Sequence, residues 1–131
     1  MKIYRQLSVF IENKPGTLAL LSGALGARRI NILAFSIADA VDHGVIRMVV
    51  SDPVQAAHLL GEGGLMVVES DVMAIDLPNK PGSLARLADR LSRARVNIEY
   101  AYGTAGAVGR KARVILKTDN MRRARRALGR G

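Results

Sequence analysis

The stretch NKPGTLALLSGALGARRINI, residues 13–32, recurs as NKPGSLARLADRLSRARVNI at residues 79–98. The two stretches align without gaps, and 11 of their 20 positions are identical. Identity at this level over a constant spacing indicates an internal duplication. The chain of 131 residues is therefore predicted to contain two copies of one small unit.

The residues around each stretch predict the same elements twice. Apolar and polar residues alternate over 3–11, and apolar residues recur at every second position over 73–77, which is the period of a half-buried strand. Within each stretch, leucines three and four positions apart lie on one helix face: Leu18, Leu21 and Leu25 in the first copy and Leu84, Leu87 and Leu91 in the second. Each copy therefore begins with a strand and a helix that packs on a sheet.

Two β-rich runs follow the helix in each copy. In the first copy they are residues 31–38 and 45–51, joined by a hairpin with Gly44 in its turn. In the second copy they are residues 97–102 and 112–117. A β-hairpin after the first helix is therefore predicted in both copies.

A second helix completes the pattern of each copy. It is predicted to begin at Asp52 in the first copy and at Asp119 in the second, because aspartate is a preferred N-cap. A strand at 65–68 follows the first of these helices and runs almost unbroken into the second copy. After the last helix only Arg130 and Gly131 remain, so the final strand of the second copy is predicted to be absent.

The order β-α-β-β-α-β is that of a ferredoxin-like unit, an antiparallel sheet with two helices on one face. We predict a fold that mixes helices and strands, α/β in the broad sense and α+β in the narrower one. It contains two such units, residues 1–70 and 71–131, and the second unit lacks its last strand. A unit of this size is marginal alone because it buries too little surface. The two units are therefore expected to pair.

The composition excludes several classes of protein. The chain has no cysteine, which rules out a disulfide framework, thiolate metal sites and a cysteine nucleophile. Its N-terminus does not have the pattern of a signal peptide, and no apolar run approaches the roughly 20 residues that a membrane helix needs. We expect a soluble cytoplasmic protein with no membrane partner.

The net charge of +9 raises the alternative of a nucleic-acid-associated regulator. Residues 110–131 hold nine Lys or Arg against the single acid Asp119, so the basic character belongs to the C-terminal segment. This segment has no aromatic residue for base stacking and no DNA-binding motif. We therefore expect at most weak, salt-sensitive and sequence-indifferent DNA binding.

The motif strand-Asn-Lys-Pro-Gly-x-Leu-helix-Asn-Ile, present at 13–32 and 79–98, resembles that of the ACT domains, which are small ferredoxin-like regulatory units. The whole chain looks like the stand-alone tandem ACT proteins, which have no enzyme fused to them. The resemblance implies allosteric sensing, usually of an amino acid, where two ACT units meet, and regulation of a partner enzyme or regulator of amino-acid metabolism. It implies no catalytic activity, and nothing in the chain indicates a cofactor.

The start of the first helix in each copy offers donors for a ligand carboxylate. The first turn has unpaired N–H groups and a partial positive charge, and a glycine there lets a ligand approach the backbone. The predicted donors are the backbones of Gly16, Thr17 and Leu18 in the first copy and of Gly82, Ser83 and Leu84 in the second.

Asparagine amides can accept hydrogen bonds from a ligand ammonium. Asn13 precedes the first helix and Asn31 follows it, so we expect both at the same edge of the sheet, and Asn79 and Asn97 likewise in the second copy. The resemblance implies that these positions contact the ligand. The alternative is a structural role, since Asn-Lys-Pro-Gly is also favourable turn chemistry and Asn can cap a helix.

The walls of the candidate site are expected to be apolar. Ile11 and Leu77, two positions before the first asparagine of each copy, should face inward by strand alternation. An apolar amino acid, branched or aromatic, suits such walls better than a polar one.

A sheet without its last strand exposes an edge of unpaired backbone groups. We therefore predict a homodimer in which a second chain lies near the gap in the second copy. The alternative is an edge that is merely solvated.

The two histidines do not indicate a metal site. His43 and His58 occur only in the first copy, and neither has a partner histidine or cysteine at metal-ligand spacing. A weak surface site formed by Asp39, Asp42 and His43 is the alternative. We predict that both histidines are surface residues and that the chain has no metal ligands.

Overall fold

The computed structural model describes residues 1–40, 43–104 and 110–129. Its elements follow the chain in this order: β1 Lys2–Ile11, α1 Thr17–Ala27, β2 Ile32–Asp39, β3 Gly44–Val50, α2 Pro53–Glu62, β4 Met66–Pro78, α3 Ser83–Arg93, β5 Ile98–Gly103, β6 Lys111–Thr118 and α4 Met121–Leu128. The predicted α+β class and the order of elements in both copies are confirmed.

The contacts divide the chain into two compact units. The first-copy unit is Arg5–Ser70, and the second-copy unit contains the residues from Asp71 onward together with Met1–Tyr4. The units expected from the repeat were residues 1–70 and 71–131. The compact units divide after residue 70, and the first four residues lie in the second-copy unit.

In the first-copy unit the sheet order is β2-β3-β1-β4. β3 is antiparallel to both of its neighbours. Its Met48 lies opposite Leu7 of β1 on one side and opposite Phe35 of β2 on the other. The side chains on the helix side of this sheet form one apolar core with α1 and α2: Leu7, Val9, Ile11, Leu21, Leu25, Ile30, Ile46, Met48, Val50, Ala56 and Leu60. Leu21 and Leu25 of α1 are buried in it, as the spacing predicts, and Leu18 is partly buried against it.

The second-copy unit repeats this arrangement with β4, β6 and β5 in that order. Met73 in β4 lies opposite Leu116 in β6, and Ala101 in β5 lies opposite the same leucine. The core consists of Met73, Ile75, Leu87, Leu91, Val96, Leu116, Ala124 and Leu128. Leu87 and Leu91 are buried here as Leu21 and Leu25 are in the first-copy unit. Leu84 is 59% exposed, so the prediction that it packs on the sheet with them was wrong.

β4 combines two predicted strands in one. It runs for 13 residues, joining the predicted strand at 65–68 to the apolar alternation at 73–77. Since the division between the units falls after Ser70, its first part belongs to the first-copy unit and its second part to the second-copy unit.

The start of β1 takes the place of the missing last strand of the second copy. β1 lies next to β4 on the side opposite β6, and Met1–Tyr4 belong to the second-copy unit. Ile3 packs against the core of that unit. Our reason for expecting a second chain at this edge was therefore wrong: β1 pairs with β3 only over Gln6–Ile11, which leaves its first residues available for β4.

The N-caps of the second helices follow the prediction in one copy only. Asp52 accepts a hydrogen bond from the Gln55 N–H at 3.1 Å, as expected. In the second copy the cap is Asn120, which accepts from the Arg123 N–H at 2.9 Å, so the prediction of Asp119 was wrong. The reason is that the spacing between equivalent positions grows from 66 residues before the hairpins to 68 after them, so that Asn120 matches Asp52.

Removing the Ile3 side chain tests the role of β1 in the second-copy unit. We expect Ile3→Ala to lower the free energy of unfolding by about 1–2 kcal/mol, because a half-buried isoleucine loses part of its packing. Denaturant unfolding measures this change, and Lys2→Ala, at an exposed position, should change it by less than about 0.5 kcal/mol. Equal effects of the two substitutions would contradict the assignment.

Candidate ligand site

A glycine in a left-handed conformation begins the first helix of each unit. Gly16 is the N-cap of α1 with φ 92°, and Gly82 is the N-cap of α3 with φ 89°. Residues with a side chain rarely adopt these angles. Neither N-cap has a side-chain hydrogen bond, so Asn13 and Asn79 do not cap the helices.

Some of the predicted carboxylate donors are already used in the turn before the helix. The Thr17 N–H donates to the Lys14 carbonyl at 3.2 Å, and the Ser83 N–H donates to the Lys80 carbonyl at 3.3 Å. The Thr17 hydroxyl also donates to the Glu12 carbonyl at 2.9 Å. These bonds close the turn, so the role that they support for Thr17 and Ser83 is to hold the loop.

Other predicted donors remain available for a ligand. Within the described residues, no acceptor pairs with the N–H groups of Gly16 and Leu18 or with those of Gly82 and Leu84. In each unit these groups lie at the positive end of a helix, where a carboxylate is stabilised. Of the predicted donors, these are the ones that no backbone acceptor of the described residues occupies.

Asn13 lies in the exposed loop after β1, close to the start of β3. A side chain at Gly44 would place its Cβ 3.0 Å from the Cβ of Asn13 and 3.4 Å from the Ala38 carbonyl oxygen. Gly44 therefore makes room for the loop, and it is the first residue of β3. In the second-copy unit the Asn79 N–H donates to the carbonyl of Arg110, just before β6, at 2.8 Å.

The second asparagine of each copy connects two strands through its backbone. The Asn31 N–H donates to the Ser51 hydroxyl, and the Ser51 N–H donates to the Asn31 carbonyl, both at 2.9 Å. Asn97 forms the same pair with Asp119, whose carboxylate accepts at 2.9 Å. These bonds hold the start of β2 or β5 against the end of the following strand.

The two asparagines of one unit lie at opposite ends of its sheet. Ile11 and Asp39, the last residues of β1 and β2, both face Gly44, whereas Ile32 at the start of β2 faces Val50. The prediction that Asn13 and Asn31 share an edge was therefore wrong. The helix between two parallel strands returns the chain to the end from which it started.

The same register separates the asparagines of the second-copy unit. Pro78 faces Lys111 at the start of β6, whereas Ile98 faces Thr118 at its end. Asn79 follows the end of β4, which contains Pro78, and Asn97 precedes the start of β5, which contains Ile98.

An apolar groove of about 230 Å³ adjoins the start of α1. It lies between this helix and the sheet and is lined by Leu18, Ser22, Ile32, Phe35, Ile46 and Met48. Ile46 and Met48 belong to the core of the first-copy unit, whereas Phe35 and Ser22 carry no sequence signal for a site. The predicted inward-facing residues Ile11 and Leu77 do pack against the two cores.

The histidines lie apart from these features. The His43 ring is 5.8 Å from that of Phe10, and His58 contacts Glu62 one turn later in α2. Asp42 lies outside the described residues, and the rest of the chain brings no three His, Asp or Glu side chains together as a metal site. Of the four helices that the structure describes, none is long and apolar enough to cross a membrane.

The family model of the ACT domain pair matches residues 1–129. The chain belongs to this family. The ACT domain pair is 37% identical to a Bacteroides thetaiotaomicron protein of solved structure, with a TM-score of 0.90 and an alignment covering 97% of this chain and 87% of that one. Curated proteins yield no match to the sequence.

Two more distant structures share the fold of the ACT domain pair. They are the regulatory subunits of aspartate kinase from Thermus thermophilus and Thermus flavus, at 16% and 20% identity and TM-scores of 0.72 and 0.64. Both alignments cover 98% of this chain, and they cover 96% and 94% of the Thermus chains.

Substitution of the N-cap glycine tests the geometry of the loop. We expect Gly16→Ala to destabilise the protein by about 1–2 kcal/mol, because alanine is strained in the left-handed conformation. Gly23→Ala, in the exposed middle of α1, should instead stabilise it by about 0.5–1 kcal/mol. Thermal unfolding of both variants provides the comparison, and a neutral Gly16→Ala would show that the loop adopts another conformation.

Proposed function

We propose that this ACT domain pair is a non-catalytic regulatory module that binds an amino acid and transmits its presence to a partner enzyme or regulator of amino-acid metabolism. The observation that carries the proposal is the pair of available N–H groups at Gly16 and Leu18, at the positive end of α1 and beside an apolar groove. The Thermus proteins that share this fold are separate regulatory subunits of an enzyme, and the proposal extends that organisation to this chain.

The groove and the helix start suit the two ends of an apolar amino acid. The ligand carboxylate would accept from the N–H groups of Gly16 and Leu18, as anions do at helix N-termini. A branched or aromatic side chain would lie against Phe35 and Met48 in the groove. The remaining requirement is an acceptor for the ammonium group, which the amide oxygens of Asn13 and Asn31 would supply.

The position of the asparagines requires a second unit at the site. Because Asn13 and Asn31 lie at opposite ends of one sheet, they can face the same ligand only if they come from two units. An antiparallel pairing of β2 with β2 of a second chain would place the start of one strand beside the end of the other. Asn31 of one chain would then lie near the Asn13 loop of its partner, giving two equivalent sites.

The exposed face of β2 favours this homodimer. β2 is an edge strand, and Leu33, Phe35 and Ile37 on it are 43%, 51% and 41% exposed. At the positions matching Phe35 and Ile37, β5 has Ala101 and Gly103, so the apolar edge belongs to the first copy alone. An apolar edge strand is a favourable surface for pairing with another chain.

Amino-acid binding can be tested by thermal shift and calorimetry with each of the twenty amino acids. A ligand of the folded state must raise the melting temperature, and we expect branched or aromatic amino acids to do so. Asn13→Ala should weaken binding by about 1–3 kcal/mol through the loss of a buried hydrogen bond. If no amino acid changes the melting temperature or produces heat, the proposed sensing function is wrong.

Mixing two variants tests whether the site is shared between chains. In a homodimer built as proposed, Asn13→Ala and Asn31→Ala each remove a contact from both sites. A mixed dimer of the two variants keeps one intact site of its two. Since random exchange makes about half of the dimers mixed, an equimolar mixture should recover about a quarter of the wild-type sites. A chain carrying both substitutions, mixed with either single variant, is the control and should recover none. If the mixed dimer fails to bind, the two asparagines of a site come from the same chain, or at least one of them does not contact the ligand.

A charge on β2 should dissociate the dimer. We expect wild-type protein to be dimeric at micromolar concentration and Phe35→Asp to be monomeric, because a buried carboxylate opposes the apolar contact. Val54→Asp, which also replaces an exposed apolar side chain but on α2, should remain dimeric. Light scattering coupled to gel filtration separates these outcomes, and a monomeric wild type would exclude the proposed interface.

A further inference from the structure

The duplication produces the same cavity in both units, between the first helix, the end of the second helix and the end of a central strand. In the first-copy unit it is about 410 Å³ and its walls include Ile11, Leu20, Ala24 and Leu60. In the second-copy unit it is about 730 Å³ and its walls include Leu77, Arg86, Arg90 and Leu128. These four residues occupy the positions that match the first four.

The two cavities have opposite character. The apolar Leu20 and Ala24 of the first copy are replaced by Arg86 and Arg90 in the second. In the first-copy cavity the two charged residues neutralise each other, since Lys14 pairs with Glu12 at 3.8 Å. The second-copy cavity holds four cationic side chains: Lys80, Arg86, Arg90 and Lys111.

The only acid in the wall of the second-copy cavity, as far as its residues are described, already has a partner. Asp76 accepts from Arg113 Nε at 3.1 Å, in register across β4 and β6. This hydrogen bond, with the nearby charges of Arg113 and Lys111, holds the pKa of Asp76 below its usual value. In the described part of the chain, no carboxylate forms an ion pair with any of the four cations of the cavity.

The protein holds both guanidinium groups in place by neutral acceptors. Arg90 Nη2 donates to the Ala127 carbonyl at 2.8 Å, and Arg86 Nη2 lies 3.4 Å from the hydroxyl of Ser83. A Cβ at Gly82 would lie 3.0 Å from Arg86 Nη1, so the absence of a side chain there makes room for this arginine. Both groups keep their positive charge and further N–H donors for a ligand.

We propose that the cavity of the second-copy unit binds a small organic anion with at least two negative charges, a phosphate monoester or a dicarboxylate. Arginine binds both groups through paired N–H donors, and the two lysines add point charges. Ile75, Leu77, Leu87 and Leu128 would contact the carbon part of the ligand. This site differs from the proposed amino-acid site, which uses backbone N–H groups and no cationic side chain.

The volume and the lining residues of the cavity favour a small molecule over a nucleic acid. Its volume of about 730 Å³ lies within the range of ordinary ligand pockets. None of the residues described in its wall is aromatic, so a base would find no stacking partner.

Calorimetric titration with glycerol 3-phosphate and with succinate tests the proposal, using sodium chloride at equal ionic strength as the blank. Arg86→Leu installs the residue of the matching first-copy position and should weaken binding at least about tenfold, because the main bidentate donor is lost. Arg126→Leu removes the same charge from an exposed position of α4 outside the cavity and should change affinity by less than about twofold. Lys80→Ala provides a second variant if Arg86→Leu fails to fold.

Each outcome decides the proposal. Binding of glycerol 3-phosphate alone identifies a phosphate site, binding of succinate alone identifies a dicarboxylate site, and binding of both identifies recognition by charge. Asn13→Ala should bind the anion like wild type, which separates this site from the amino-acid site. The proposal is wrong if neither anion binds above the chloride blank, or if Arg86→Leu and Arg126→Leu lose affinity equally.

Discussion

The helix that connects two parallel strands determines where the two candidate asparagines of each unit lie. β1 and β2 run in the same direction because both are antiparallel to β3. The chain must therefore cross the whole sheet through α1 before β2 begins, which places Asn31 at the end opposite Asn13. The local motif is complete in each copy, but a site that uses both asparagines needs a second unit.

Duplication preserved the buried leucines of the first helix and changed several of its exposed residues. Leu21 and Leu25 in α1 are leucines again in α3, because they fill the core of each unit and any other size would leave a cavity or a clash. Leu20 is 79% exposed and contributes little to packing, so arginine replaces it in the second copy without loss of the core. The fold is therefore the same in both units while the chemistry of the equivalent cavities differs.

Periodicity predicts the elements well because a strand or helix is determined by nearby residues. The strands, the helices and the buried leucines could all be predicted from the spacing of apolar residues in the sequence. The place of Met1–Tyr4 could not, because it depends on which strand fills the edge of β4, a contact between residues far apart in the chain. The N-cap Asn120 was missed for a smaller reason: the longer β5–β6 connection shifts the correspondence between the copies, and Asp119 is next to it.

The candidate site was predictable at its helix start and not across the sheet. The Asn-Lys-Pro-Gly motif indicates the turn before each first helix through its residue types, whereas the distance between two asparagines depends on strand direction. Strand topology also bears on the two proposed ligands. The chain passes from one unit to the other inside β1 and inside β4, with no linker at either crossing. Each of these two strands therefore belongs partly to each unit, and any coupling between the two proposed ligands would have to be reciprocal.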